Sequence, residues 1–152
     1  MAETKFFAGR AASACGLIIA GMLIAGGPLL GAAGARPRNL DLSLERVTDH
    51  GVFRIQLKSG VEPIQTSKVH QWSVHVVGAD GVPVTGASLK VDGGMPEHGH
   101  GLPTAPRAEP SNGPGNYVIN GMKFSMTGWW VLKLDVKAPD GRTDNITFNV
   151  VL

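Results

Sequence analysis

The chain has 152 residues, of which 43% are hydrophobic and 17% are charged, and its formal net charge is +2. This length suits one domain and a targeting segment, and a charge of +2 excludes a field strong enough to indicate nucleic acid as a partner. The only cysteine, Cys15, lies in an N-terminal apolar segment. The rest of the chain therefore has no thiolate, and any metal ligands there must be His, Met or carboxylate.

The first 35 residues have the features of a targeting segment. Lys5 and Arg10 supply positive charge, and the uncharged residues 11–35 end in the small-residue pattern AGA. We predict either a cleaved signal peptide or a retained inner-membrane anchor, because the apolar run approaches the roughly 20 residues that span a bilayer. Both alternatives place the rest of the chain in the periplasm or another extracytoplasmic space.

A polar joint, residues 36–39, precedes a predicted domain that occupies residues 40–152. Apolar side chains alternate with polar ones in this domain, which is the period of β-strands, and turn residues recur at short intervals. No window has the period of an amphipathic helix. The alternation predicts seven strands, at residues 40–45, 53–58, 69–77, 88–92, 117–120, 129–136 and 144–152. We therefore expect an all-β, immunoglobulin-like antiparallel β-sandwich of about seven strands, preceded by an N-terminal apolar signal or anchor helix.

Residues 93–116 show no periodicity and contain five of the ten prolines, which cannot donate to a sheet ladder. We predict a long loop here, and long loops in compact domains are often functional. The segment includes the sequence MPEHGHG, which places Met95, His98 and His100 within six positions. Glycines there permit the chain to bend, and prolines stiffen it.

Copper is the metal that best fits a mixed set of thioether and imidazole donors. A thioether favours copper(I), and imidazole binds copper in either oxidation state as well as zinc. Met122 and Met126 follow in an extended segment and could add sulfur ligands if that segment packs beside the loop. Methionines that alternate with phenylalanine are more often core residues, and His98 and His100 could equally be exposed, non-binding side chains.

The remaining candidates have weaker support. His70 lies on the same strand face as a tryptophan, which favours a buried, hydrogen-bonded histidine, although it could line the same end of the sandwich. His75 is expected at the surface, and Glu97 is either a hard co-ligand, an acceptor for a ring N–H or a solvated charge. Of the adjacent Trp129 and Trp130, one ring is expected in the core and the outward one, Trp129, on a binding surface.

Known catalytic patterns are missing from the sequence. After residue 35 there is no cysteine nucleophile, no G-x-S-x-G or H-E-x-x-H motif and no glycine-rich phosphate loop between a strand and a helix. We therefore predict that the protein is not an enzyme.

The segments MPEHGHG and GNYVINGMKFSMTGWW resemble the YtkA-like and FixH-like exported domains of bacteria, over most of residues 50–152. The resemblance implies an immunoglobulin-like sandwich beyond the inner membrane, often tethered by an N-terminal helix. It also implies a link to copper or cation supply, because FixH is associated with cytochrome oxidase. The motif positions are Met95, His98, His100, Met122 and Met126. A single apolar segment replaces the longer membrane anchor of FixH.

Two hypotheses follow from these patterns. The first is an extracytoplasmic copper-binding or copper-delivery domain, with a copper-requiring oxidase or a copper transporter as its partner. In this hypothesis His98, His100 and Met95 bind the ion, and Met122 or Met126 completes the site. The second is a metal-free interaction module, in which the MPEHGHG segment and Trp129 bind a protein or a small aromatic ligand.

Overall fold

The computed structural model describes residues 34–152, so the predicted targeting segment lies outside the described residues except for its last two positions. The described part contains nine strands and no helix. They are β1 (Glu45–Val47), β2 (Phe53–Ser59), β3 (His70–Gly78), β4 (Ser88–Met95), β5 (His100–Gly101), β6 (Arg107–Pro110), β7 (Asn116–Met122), β8 (Trp129–Lys137) and β9 (Thr143–Val151). Within residues 34–152, no helix has the length and apolarity needed to cross a bilayer.

The strands form two antiparallel sheets. One has the order β1-β2-β3-β7-β6 and the other the order β5-β4-β8-β9. The prediction of an immunoglobulin-like antiparallel β-sandwich is confirmed. The strand number is nine rather than about seven, and the two additional strands, β5 and β6, both lie in the segment that was predicted to be a loop.

Alternating side chains position the core between the two sheets. In β2 the apolar positions are buried and the polar ones between them are exposed, and β3 repeats this pattern around Trp72. On the opposite sheet, Leu132, Leu134 and Phe148 are fully buried. Because successive side chains of a strand point to opposite faces, this local pattern alone determines which face of each strand turns inward.

The first predicted strand is mostly irregular. Only Glu45–Val47 pairs with β2, and Leu42, expected inward, is 50% exposed. The side chain of Asp41 accepts a hydrogen bond from the Ser43 N–H at 2.9 Å, and this local turn competes with strand extension. The alternation of apolar and polar residues was therefore not enough to predict a strand at the edge of the sheet, where only one neighbouring strand is available for pairing.

The prediction of a long loop at residues 93–116 is wrong. Strand β4 continues through Gly93 and Gly94 to Met95 and forms a hairpin with β5, and β6 pairs with β7. A Cβ at Gly94 would collide with the His100 carbonyl, and one at Gly93 would collide with that of Val131. Glycine in this strand therefore allows close backbone approach and does not mark a loop.

Candidate metal centre

One end of the sandwich, here called the Met/His end, is formed by the β4–β5 hairpin, the start of β3 and the β7–β8 connection at residues 123–128. Five aromatic side chains from both sheets contact one another in series across it. The successive ring centroids are 5.4 Å apart for His100 and Trp130, 5.2 Å for Trp130 and Phe124, 5.8 Å for Phe124 and His70, and 6.4 Å for His70 and Trp72.

The β4–β5 hairpin brings Met95 and His100 into register. Their Cα positions are partners in the antiparallel ladder, so both side chains start from the same face of the sheet. The backbone N–H groups of His98 and Gly99 both donate to the Met95 carbonyl at 3.0 Å, and Gly99 has a φ of +65°. This compact turn fixes the backbone of all three predicted ligands.

The ring of His100 is oriented for ligation through Nε2. Its Nδ1 lies 2.9 Å from the carbonyl oxygen of Gly101, and because a carbonyl only accepts hydrogen bonds, Nδ1 carries the proton. Neutral imidazole in this tautomer keeps its lone pair on Nε2. A ring N–H bonded to a backbone carbonyl is the usual way in which proteins orient a metal-binding histidine.

The rings of His98 and His100 are close enough to share an ion. Their centroids are 6.0 Å apart, and both side chains are exposed. Because a bond from metal to imidazole nitrogen is about 2.0 Å long, two imidazoles on one ion have centroids roughly 4.5–6 Å apart. The observed separation of 6.0 Å is at the upper end of this range.

Met95 lies on the interior side of the hairpin and is only 2% exposed. Its thioether methyl fills the space beside Gly128, where a Cβ would collide with it, and its sulfur is 4.0 Å from that Cβ position. The hairpin thus combines one buried sulfur with two exposed imidazoles. This donor set fits copper, and within residues 34–152 no group of three or more His, Cys, Asp or Glu side chains is placed to hold a metal.

Two of the five predicted ligands lie apart from this group. Met122 is fully buried, and its Cα is paired with that of His70 in the other sheet. Met126 is 41% exposed, which corrects the expectation that it shares one side of an extended segment with Met122 and Phe124. The chain bends after β7, and the Met126 carbonyl accepts a hydrogen bond from Trp130 Nε1 at 3.1 Å.

His70 has more of the features of a ligand than the sequence indicated. It is buried as expected, and its Nδ1 lies 3.1 Å from the Lys68 carbonyl. Its Nε2 is also buried and has no hydrogen-bond partner among residues 34–152, as is true of Trp72 Nε1. The only signal in the sequence was its position on the inward face at the start of a strand.

Trp129 is not an open binding surface. It is 7% exposed, and its Nε1 donates to Asn149 Oδ1 at 3.0 Å, so the prediction of an outward binding ring is wrong. His75 is half-buried and bonds Asn116 Oδ1 at 2.7 Å. Glu97 is exposed in the hairpin turn.

The start of the described chain also contacts the Met/His end. The backbone N–H of Gly34 donates to the Pro96 carbonyl at 2.9 Å. Gly34, the first residue that the structure describes, is therefore hydrogen-bonded to the hairpin turn that carries His98.

A buried carboxylate occupies the opposite end of the sandwich. Asp144 accepts hydrogen bonds from the backbone N–H groups of His50, Val52 and Asn145, and His50 Nδ1 lies 2.7 Å from its Oδ1. Burial by itself would raise the pKa of Asp144, but hydrogen bonds with the side chains of Thr48 and His50 and with the backbone N–H groups of Asn145 and Val52 outweigh burial and hold the pKa well below its usual value. The hydrogen bond and the charge of Asp144 raise the pKa of His50.

Comparison with known proteins identifies the type of domain. The model of the family described as YtkA-like matches residues 49–135, which is more than half of the chain. A crystal structure of a DUF4426 family protein from Pseudomonas aeruginosa PAO1 aligns with a TM-score of 0.53 and 17% identity, covering 71% of this chain and 96% of that one. The ZirS C-terminal domain aligns with a TM-score of 0.39 and 12% identity, covering 100% of this chain and 88% of that one. Curated proteins give no match.

Proposed function

The chain belongs to the YtkA-like family, and from the geometry of its β4–β5 hairpin we propose that it is an extracytoplasmic domain that binds or delivers copper. The observation that supports this proposal best is the arrangement of Met95, His98 and His100 on one tight hairpin. Two imidazole rings with centroids 6.0 Å apart and a buried thioether lie on the same hairpin, with the Cα atoms of Met95 and His100 paired, and the His100 tautomer leaves the Nε2 lone pair available to a metal.

The ligands differ in accessibility, and this difference suits metal transfer. His98 and His100 are exposed, whereas Met95 is buried against Gly128. Copper(II) would be held by the imidazoles alone, and copper(I) would also gain the soft sulfur. An ion bound at the tip of a rigid hairpin is open to a second protein that offers competing ligands.

The proposed location follows from the N-terminal sequence, and the proposed partners follow from the copper function. We expect the apolar run of residues 11–35 to direct export and, if retained, to anchor the domain in the inner membrane. A domain that delivers copper outside the cytoplasm would have a copper-requiring oxidase or a copper transporter as its partner. The FixH-like part of the resemblance stays a prediction, as does the expectation that the protein is not an enzyme.

The test is an anaerobic copper(I) titration against a chromophoric chelator, with a parallel copper(II) titration. Removing both imidazoles in His98→Ala/His100→Ala should weaken both affinities by at least roughly 100-fold, beyond the 10–100-fold typical of losing an outer hydrogen-bond partner. Met95→Leu preserves the buried volume and should weaken copper(I) alone. His75→Ala, which removes an imidazole far from the hairpin, serves as the control.

An unchanged affinity in the double histidine variant would refute the proposal. The remaining reading would be the metal-free interaction module, in which the hairpin contacts a partner directly. That reading has lost one of its two supports, because Trp129 is buried.

A further inference from the structure

A second pair of soft donors lies inside the Met/His end, in the other sheet. His70 and Met122 are Cα partners across β3 and β7, next to an irregularity in the register. Both side chains point into the core, with His70 7% exposed and Met122 fully buried. Directly opposed residues on one face of an antiparallel pair have Cβ atoms about 4.5–5.5 Å apart. An imidazole nitrogen and a thioether sulfur can therefore converge on one point between the sheets.

The tautomer of His70 directs a lone pair into this interior. Because the Lys68 carbonyl only accepts hydrogen bonds, the Nδ1 that lies 3.1 Å from it must carry the proton. Nε2 is then an unprotonated acceptor that is buried and has no partner within the described residues. An unpaired polar atom in a core is costly, so this nitrogen needs a partner, which is either a bound ion or an ordered water.

The surroundings favour a soft monovalent ion over a divalent one. The rings of Phe124 and Trp72 lie 5.8 and 6.4 Å from that of His70, and aromatic faces attract weakly hydrated cations. Among residues 34–152, His70 does not belong to any group of three or more His, Cys, Asp or Glu side chains of the kind that holds a divalent ion, although Glu62 lines the same cavity as His70. One imidazole and one thioether match copper(I).

A cavity open to the surface adjoins His70. His70 forms part of the wall of a cavity of about 450 Å³ that is otherwise lined by residues 60–63, 65, 68 and 69. On the other side, Phe124 and Trp130 connect the His70 ring to that of His100 in the hairpin.

We propose that His70 Nε2 and Met122 Sδ form a second, interior site for one copper(I) ion, distinct from the hairpin site and enclosed by Phe124 and Trp72. The choice of copper rests on the function proposed above, whereas the donor pair and its burial do not. The wild-type domain then binds two copper(I) ions, one accessible at the hairpin and one stored in the core.

The test counts copper(I) equivalents by anaerobic titration and follows the ¹⁵N signals of the His70 ring by NMR, since copper(I) is diamagnetic. Wild type should bind two equivalents per chain, and the His70 Nε2 signal should move as one of them binds. His70→Phe, which keeps an aromatic ring, and Met122→Leu, which keeps the volume, should each bind one equivalent. Met126→Leu, which changes an exposed methionine, should still bind two.

The outcomes separate this inference from the hairpin function. Two results together support the interior site. The variants His70→Phe and Met122→Leu each bind one copper(I) equivalent fewer than wild type. Copper(I) still shifts the His70 signal in the His98→Ala/His100→Ala variant. A His70 Nε2 signal that stays at its copper-free position in wild type overturns it, whether or not His70→Phe folds. If the hairpin variant binds as wild type does while His70→Phe loses an equivalent, the hairpin function fails and the interior site stands.

Discussion

Gly128 determines where the Met95 thioether lies. A substitution of Gly128 should therefore disturb both the fold and the proposed copper site. Its φ of +131° is rare for any residue with a side chain, and a Cβ there would collide with the Met95 methyl. We expect Gly128→Ala to cost about 1–3 kcal/mol in backbone strain and about 1–3 kcal/mol in overpacking, or roughly 2–6 kcal/mol together. At roughly 4 °C per kcal/mol for a domain of this size, the Tm should fall by at least about 8 °C.

The chain offers a matched control for the backbone part of this cost. Gly141 also has a positive φ, +89°, but a Cβ there would have nothing within 4 Å. Gly141→Ala should therefore show the strain alone, about 1–3 kcal/mol. The difference between the two variants measures the collision with Met95.

A double-mutant cycle tests the contact directly by urea unfolding. Met95→Ala alone should cost about 2–5 kcal/mol, the usual range for a buried methionine. In the Gly128→Ala background it should cost about 1–3 kcal/mol less, because truncation removes the clashing methyl. Additive effects, together with a Gly128→Ala cost equal to that of Gly141→Ala, would show that the thioether does not lie against Gly128.

Four further predictions concern the rest of the sandwich. Asp144→Ala should cost about 2–4 kcal/mol in urea unfolding, because three backbone N–H groups lose their buried acceptor. Because the pKa of Asp144 is lowered in the folded protein, its contribution to folding stability is present above about pH 4 and is lost on acidification. Because the pKa of His50 is raised, its contribution to folding stability is present below about pH 6.5 and is lost as the pH rises. Stability should thus peak between these values, and His50→Gln should abolish the alkaline decline; an unaltered pH profile in that variant would contradict the assignment. Tyr117→Phe should cost about 1.5–3 kcal/mol by calorimetry, since its buried hydroxyl donates to one backbone carbonyl and accepts from one backbone N–H; a smaller change would mean that neither group is left unpaired. Trp129→Phe should cost about 1 kcal/mol or more through its hydrogen bond to Asn149, whereas a stabilised variant would indicate an exposed ring.

The candidate site was only partly predictable from the sequence. Met95, His98 and His100 are close in the chain, so a single hairpin turn is enough to bring them together. The structure has such a turn between β4 and β5. Met122 and Met126 were assigned to the same group on the condition that their extended segment packs beside the loop, and as motif positions of the family resemblance. The structure separates them, because one ends a strand in the core and the other follows a bend at the surface.

Trp129 and the two glycines of β4 show how local rules mislead. The alternation of β8 turns Trp129 away from the core, yet its ring is covered and bonded to Asn149 of β9. Gly93 and Gly94 suggested a loop, but they lie where neighbouring backbones leave no space for a Cβ. In each case the deciding neighbour is on another strand, which the pattern within one strand does not identify.

The sequence by itself determined the strand faces, the tight turns and the sandwich class, because the two-residue period of side chains is a property of the local backbone. The tertiary structure alone decided that β4 and β5 pair, that His70 lies opposite Met122, and that Phe124 and Trp130 connect the two sheets. The pairing of His70 with Met122 depends on the register between strands distant in the chain, and the other two features depend on how a short turn packs against the rest of the core; neither leaves a periodic signal in a single segment.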